Sequence, residues 1–239
     1  MIATFTALLC AHALADFVLQ TRWMVDHKRH PGVLILHAAV VLLTAQATTG
    51  QPAHPAVLAL AAVHLGIDLV KTYGLPPGLR AFLADQAAHL ASLVAVAWLV
   101  PGLWATGAWG GCPGLLPVLA GLAGLILATR AGAFAVGLLM APWSETDLPK
   151  GLENGGALIG LLERGLIFLL VLVGQPAGVG FLIAAKSVLR FETTSRDQRA
   201  GEYVIIGTLA SFGWALVAAY ATQGLLDVLP PLEIGRPAP

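Results

Sequence analysis

Residues 2–20 read IATFTALLCAHALADFVLQ, and residues 55–73 read PAVLALAAVHLGIDLVKTY. A helix needs roughly 20 apolar residues to cross a hydrocarbon core about 30 Å thick, and each stretch has that length. Each also holds a His and an Asp four residues apart, His12 with Asp16 and His64 with Asp68. His37 and His89 follow in the next apolar runs, so H-x3-D-x20-H occurs twice, displaced by 52 residues. Ionisable groups inside a membrane span cost free energy unless they are paired or bound, so their placement marks a functional site. Two helical hairpins with one pattern predict a parallel repeat, related by an approximate two-fold axis along the membrane normal.

The whole composition agrees with that reading. Of 239 residues, 57% are hydrophobic and 11% charged, and the mean hydropathy is +0.81. A soluble domain carries about 25% charged residues, so this chain cannot clothe a water-facing surface. The expected fold is all-α, a polytopic transmembrane helical bundle. Its apolar runs lie near 2–20, 32–49, 55–73, 81–101, 115–140, 156–174, 176–191 and 202–222, which gives about eight spans. The fifth carries Arg130 and is a candidate for a kink or split at 128–132; the seventh is short. Turn residues fall between runs, as at Arg29-His30-Pro31-Gly32 and Pro76-Pro77-Gly78. The polar stretch 143–155 predicts a cytoplasmic linker between an N-terminal bundle, 1–142, and a three-helix segment, 156–239. With 13 Lys and Arg against 13 Asp and Glu there is no basic field for nucleic acid. Cys10 and Cys112 make neither a disulfide framework nor a metal motif. The first run lacks the basic region of a cleaved signal and is expected to be retained.

Lys and Arg in short loops set orientation, because those loops stay cytoplasmic. Arg22, Lys28, Arg29, Lys71, Arg80, Lys150, Lys186, Arg190, Arg196 and Arg199 fall in alternate connections, whereas 50–54, 102–114 and 174–177 hold none. Eight crossings then place both termini outside, with only Arg236 in the tail breaking the pattern, and the His/Asp pairs in the inner half of their spans. Glu163, Arg164, Lys186, Arg190, Glu202 and Tyr203 lie at the same depth, while the outer halves hold no His, acid or base except Tyr220. A conduit for ions would continue outward.

On a helix, residues i and i+4 share a face about 6 Å apart. His12, Asp16, His37, His64, Asp68 and His89 can therefore converge as metal ligands in the bundle core, with Asp85 one turn before His89 as a further ligand or general base. Mixed His and carboxylate donors suit Zn, Mn, Fe or Co better than Ca or Mg. The set can hold one metal with supporting partners, two metals bridged by carboxylates, or no metal at all, as a hydrogen-bond or proton network. Lys71, three residues after Asp68, is a catalytic candidate, and Arg164, Lys186 and Arg190 are candidates to hold an anion at headgroup depth. The bland alternative is that Lys186 and Arg190 snorkel and that Glu163 pairs with Arg164 to pack helices. Gln20 and Gln86 either orient ligands or mark span ends. His27, His30 and His54 fall in loops.

The stretches HALADFVLQTRWMVDHK (12–28), His37, HLGIDLVK (64–71) and DQAAHL (85–90) resemble a bacterial multi-spanning membrane family known only as a domain of unknown function. The likeness covers about the first 140 residues. LLERGLIFLLVLVGQ (161–175), GFLIAAKSVLRF (180–191) and EYVIIGTLASF (202–212) look like a C-terminal extension of some members. The resemblance implies a bacterial inner-membrane location and no reaction. Paired His-x3-Asp is more loosely similar to the zinc site of cation diffusion facilitators, and buried His and Asp to membrane metal-dependent hydrolases. Three functions are expected to compete: a metal-dependent hydrolase or phosphotransfer enzyme on an anionic lipid or other amphiphile, a divalent-cation transporter or sensor, and a non-catalytic scaffold.

Overall fold

The computed structural model describes residues 1–143, 154–194 and 198–231, with the side chains of 189–194 left aside. Among the described residues the chain is helical, with no strand. Seven helices among the described residues are long and apolar enough to cross a bilayer: Ile2–Leu19, Pro31–Thr49, Pro55–Gly74, Leu79–Leu99, Leu115–Trp143, Gly155–Leu172 and Gln198–Leu226. The expected run at 176–191 is a helix, Gly178–Thr194, apolar over the shorter stretch Gly178–Val188. Large apolar side chains point outward, among them Trp98 at 71% and Phe181 at 78% exposure. Faces of that kind suit lipid rather than water, so the architecture is compatible with a multi-pass membrane protein. Most of the expected linker, 144–153, lies outside the described residues.

The fold divides into two compact units, Met1–Ile126 with the stretch from Gly224 onward, and Leu127–Gln223. In the first, α1 (Ile2–Leu14) runs into a π-helical turn at Ala15–Leu19, followed by α2 (Arg22–Asp26), α3 (Pro31–Thr49), α4 (Pro55–Gly74), α5 (Leu79–Leu99) and α6 (Leu115–Ile126). Helix α1 is central and packs on α3, α5 and α6, while α4 packs on α3 and α5. Its small buried residues Ala7, Cys10, Ala11 and Ala13 allow that close approach from several sides. Two helix starts use one device: Pro31 and Pro55 stand at the first turn, and the Nδ1 atoms of His30 and His54 accept from the N–H of Gly32 (3.3 Å) and Ala56 (3.1 Å). Helix α3 stops at Gly50, whose φ of 68° is left-handed.

Chain direction sorts polar from apolar. Leu8, Leu60 and Leu93 lie one turn from His12, His64 and His89, and with Ala11, Ala45, Val57 and Leu103 they form one buried apolar cluster. The segment after α5 closes that end: Pro101 O accepts from Thr4 Oγ1 (2.9 Å), Leu103 O from Gln51 Nε2 (2.8 Å), and Trp109 Nε1 donates to Ala47 O (2.7 Å).

The second unit begins with a π-helical turn, Leu127–Ala131, at the expected irregularity around Arg130, and continues with α7 (Gly132–Met140), α8 (Gly155–Leu172), α9 (Gly178–Thr194) and α10 (Gln198–Leu226, in this unit to Gln223). A π turn frees backbone carbonyls from the i→i+4 ladder. Side chains take them here: Trp214 Nε1 donates to Leu127 O (2.8 Å) and Arg164 Nε to Thr129 O (3.2 Å). Phe168, Val171 and Ala219 pack on Ala128 around this turn, beside a second apolar cluster of Ile167, Val179, Phe212 and Ala215.

Candidate metal centre

Four helices meet in the first unit: the C-terminal part of α1 with its π-helical turn, the N-terminal half of α3, and the middle of α4 and of α5. They bring His12, Asp16, His37, His64, Asp68, Asp85 and His89 into one buried cluster. The other three of the chain's seven histidines have local work elsewhere. His30 and His54 cap helices, and His27 Nδ1 hydrogen-bonds Trp23 O at 2.9 Å.

The tightest arrangement crosses the two repeats. Asp16 sits in the π-helical turn, where the wider winding turns its carboxylate away from simple i, i+4 stacking on His12. Its Oδ1 lies 3.8 Å from His12 Nδ1 but 3.4 Å from His37 Nε2 and 3.6 Å from His64 Nε2. The two Nε2 atoms are 3.2 Å apart. Ligands 2.0–2.2 Å from a tetrahedral ion stand about 3.3–3.6 Å from one another, so these three atoms have the spacing of one face of such a site. Asp68 Oδ2 approaches the same two nitrogens, at 3.6 Å from His37 and 3.7 Å from His64. The expected pairing of each Asp with the His of its own helix is therefore only part of the geometry.

A second group surrounds His89, whose ring stacks on His64 with centroids 3.9 Å apart. His89 Nε2 is 3.3 Å from Asp85 Oδ1 and 4.0 Å from Asp68 Oδ1. His12 is turned to Gln86, with Nε2 to Oε1 3.1 Å, and Gln86 Nε2 donates to Asp85 Oδ2 (3.1 Å). Gln86 thus orients two members of the cluster. Asp16 Oδ1, Asp68 Oδ2, Asp85 Oδ1, His37 Nδ1 and both ring nitrogens of His89 are buried without a hydrogen-bond partner. Buried polar atoms are ordinarily satisfied, so a concentration of orphans at ligand spacing fits an ion that would satisfy them. Three groups here can hold a metal ion: Asp16–His37–His64, His12–His64–His89 and Asp68–Asp85–His89.

Two lysines complete the electrostatics. Lys71 Nζ donates to Asp85 Oδ2 at 2.6 Å, and Lys28 Nζ donates to Asp68 Oδ1 at 2.7 Å. Lys71 was a candidate from its spacing, whereas Lys28, on the connection after α2, was legible only as a topological charge. The partly exposed lysines mark the cluster's mouth: their side chains are 29% and 15% exposed, against 1% and 2% for their carboxylate partners.

The candidate anion ligands belong to the second unit. Arg164 is bound to Thr129 O and, through Nη1, to Ser211 Oγ at 2.9 Å. Glu163 pairs with Lys186 at 2.7 Å rather than with Arg164. The side chain of Arg190 lies outside the described residues.

A helical bundle of membrane type with a buried His/Asp cluster able to hold metal is the class these features define. Residues 4–106 match the family described as Protein of unknown function (DUF3307), a stretch that contains all seven cluster residues, Lys28 and Lys71. The match bears out the resemblance over those residues and stops before the second unit. No curated protein and no solved structure matches the chain.

Proposed function

We propose that the first unit is a metal-dependent membrane hydrolase or phosphotransfer site for an anionic amphiphile, facing the cytoplasmic leaflet. Asp16, His37 and His64 bind one Zn, Mn, Fe or Co ion, Asp68 is the fourth ligand, and His89 and His12 support it. The observation that carries this reading is the 3.2–3.6 Å triangle of Asp16 Oδ1, His37 Nε2 and His64 Nε2. Charge counting favours one ion over two. Asp16, Asp68 and Asp85 against Lys28 and Lys71 leave one net negative charge, so one divalent ion gives a net +1 that suits an anionic ligand, and two would give +3. A bound ion supplies Lewis acidity and a water of lowered pKa. Asp85, held by Lys71 and Gln86, is the general base, and Lys71 and Lys28 are the cations that meet the anion at the mouth. The inner orientation rests on the distribution of Lys and Arg among the connections.

The leucine layer one turn beyond the cluster supports a closed site rather than a conduit. Elemental analysis of the purified full chain should find about one transition-metal ion per protein, and His64→Ala and Asp16→Ala should lose it while remaining folded. Metal-dependent, chelator-sensitive cleavage of a phosphoryl or acyl ester in mixed micelles is the expected activity. Metal flux into proteoliposomes would favour the transporter, and equal metal in wild type and both variants would overturn the site.

A further inference from the structure

The second unit contains a cavity of about 500 Å³, within the size range of small-molecule sites. Its walls are of two kinds. Ala133, Val136, Ile159 and Val204 make an apolar side, and an added Cβ at Gly137 or Gly156 would meet nothing within 4 Å, so these glycines leave that side open. Arg164, Lys186, Glu163, Tyr203, Thr208 and Ser211 make a polar side.

Arg164 is the unusual member. It is 3% exposed, and a guanidinium does not give up its charge. Thr129 O and Ser211 Oγ use two of its five donors, and both acceptors are neutral. Among the described residues no carboxylate forms an ion pair with it, because the neighbouring Glu163 is taken by Lys186. The chain has made room for this side chain: a Cβ at Gly160 would come within 3.0 Å of Nη1, and one at Gly132 within 2.9 Å of Cδ. Arg164, Lys186 and Glu163 together leave one net positive charge on the cavity wall. Glu163 attracts the Arg164 guanidinium but is bound by Lys186, so one carboxylate serves two cations and part of the buried charge is left without a counter-charge.

We propose that this cavity binds the anionic headgroup of an amphiphile, with a phosphate or carboxylate oxygen on the Arg164 guanidinium and the adjoining chain along the Ala133, Val136, Ile159 and Val204 wall. Arg164 supplies planar paired donors for an oxyanion. Lys186 adds long-range attraction while staying paired with Glu163. The proposal is argued from the second unit alone and stands whether or not the first unit holds a metal.

The test uses the purified full chain in micelles with equal phosphatidylglycerol and phosphatidylcholine, followed by delipidation and native mass spectrometry. Wild type should retain about one phosphatidylglycerol, at least tenfold over phosphatidylcholine. Arg164→Gln should bring that ratio near one. Because Arg164 also satisfies Thr129 O, a second variant guards against misfolding: Gly137→Leu fills the open side and should cut retention of either lipid at least tenfold without lowering the melting temperature. Millimolar inorganic phosphate should leave the lipid in place. Equal retention by wild type and both variants would overturn the site, and full displacement by inorganic phosphate would overturn the amphiphile in favour of a free anion. Metal content measured on the same samples reports on the first unit and separates the two readings.

Discussion

Asp68 shows how one carboxylate can be divided between two tasks. Its Oδ2 faces the His37 and His64 nitrogens, and its Oδ1 takes the ammonium of Lys28. An ammonium a few ångströms from a divalent ion repels it, by several kcal/mol at an effective dielectric near 20 before relaxation. Lys28 holds one oxygen of Asp68, and with the proposed ion bound it would tune affinity downward. Lys28→Gln should raise affinity for Zn or Mn by about tenfold, the equivalent of roughly 1.4 kcal/mol, measured by competition with a chromophoric chelator; unchanged or weaker binding would refute the repulsion argument. This residue marks the limit of what the sequence discloses. Six of the seven cluster positions were legible because spans make ionisable residues conspicuous and the 52-residue displacement groups them, and Asp85 because it stands one turn before His89. Lys28 lies in a polar connection 40 residues from its partner, where a lysine is unremarkable. The role of Gln86 was equally open, since an amide beside a span end has no spacing rule to single it out.

At the level of elements, both π-helical turns shape what lies around them, and only one had a visible cause. Around Arg130 a charge inside an apolar run flagged an irregularity, and the turn Leu127–Ala131 is there. At Ala15–Leu19 nothing in ADFVL breaks a helix, so the register shift that sends Asp16 toward His37 and His64 comes from packing and could not be read from local propensity. The freed carbonyls of the second turn give a measurable consequence. Trp214→Phe keeps an aromatic ring, though a smaller one, and removes the donor to Leu127 O. Leaving a poorly solvated carbonyl unpaired costs about 1–3 kcal/mol, and the variant should show that loss in reversible denaturation in micelles. A loss below about 0.3 kcal/mol would mean that the turn is satisfied by other means.

At the scale of the molecule, the seven long apolar helices among the described residues agree with the hydropathy reading, and the short seventh run, 176–191, is where length alone stops deciding whether a segment spans. Orientation is a separate matter, because it rests on the asymmetry of Lys and Arg among connections. The chain carries its own reporters for it. Cys112 is exposed on the connection between α5 and α6, whereas Cys10 is fully buried in α1. The Lys-free connection 102–114 is expected outside, and the connection between α4 and α5, next to Lys71 and Arg80, inside. A membrane-impermeant maleimide added to right-side-out vesicles should therefore label wild type at Cys112 alone, and Cys112→Ser should abolish the signal. In that Cys112→Ser background, Pro77→Cys should label only after permeabilisation. Labelling of both positions from one side would rule out helix α5 (Leu79–Leu99) as a crossing, and the reverse order would turn the His/Asp mouth outward. In that case Lys28 and Lys71 would meet a soluble or outer-leaflet anion, and the substrate proposed for the first unit would have to be sought there.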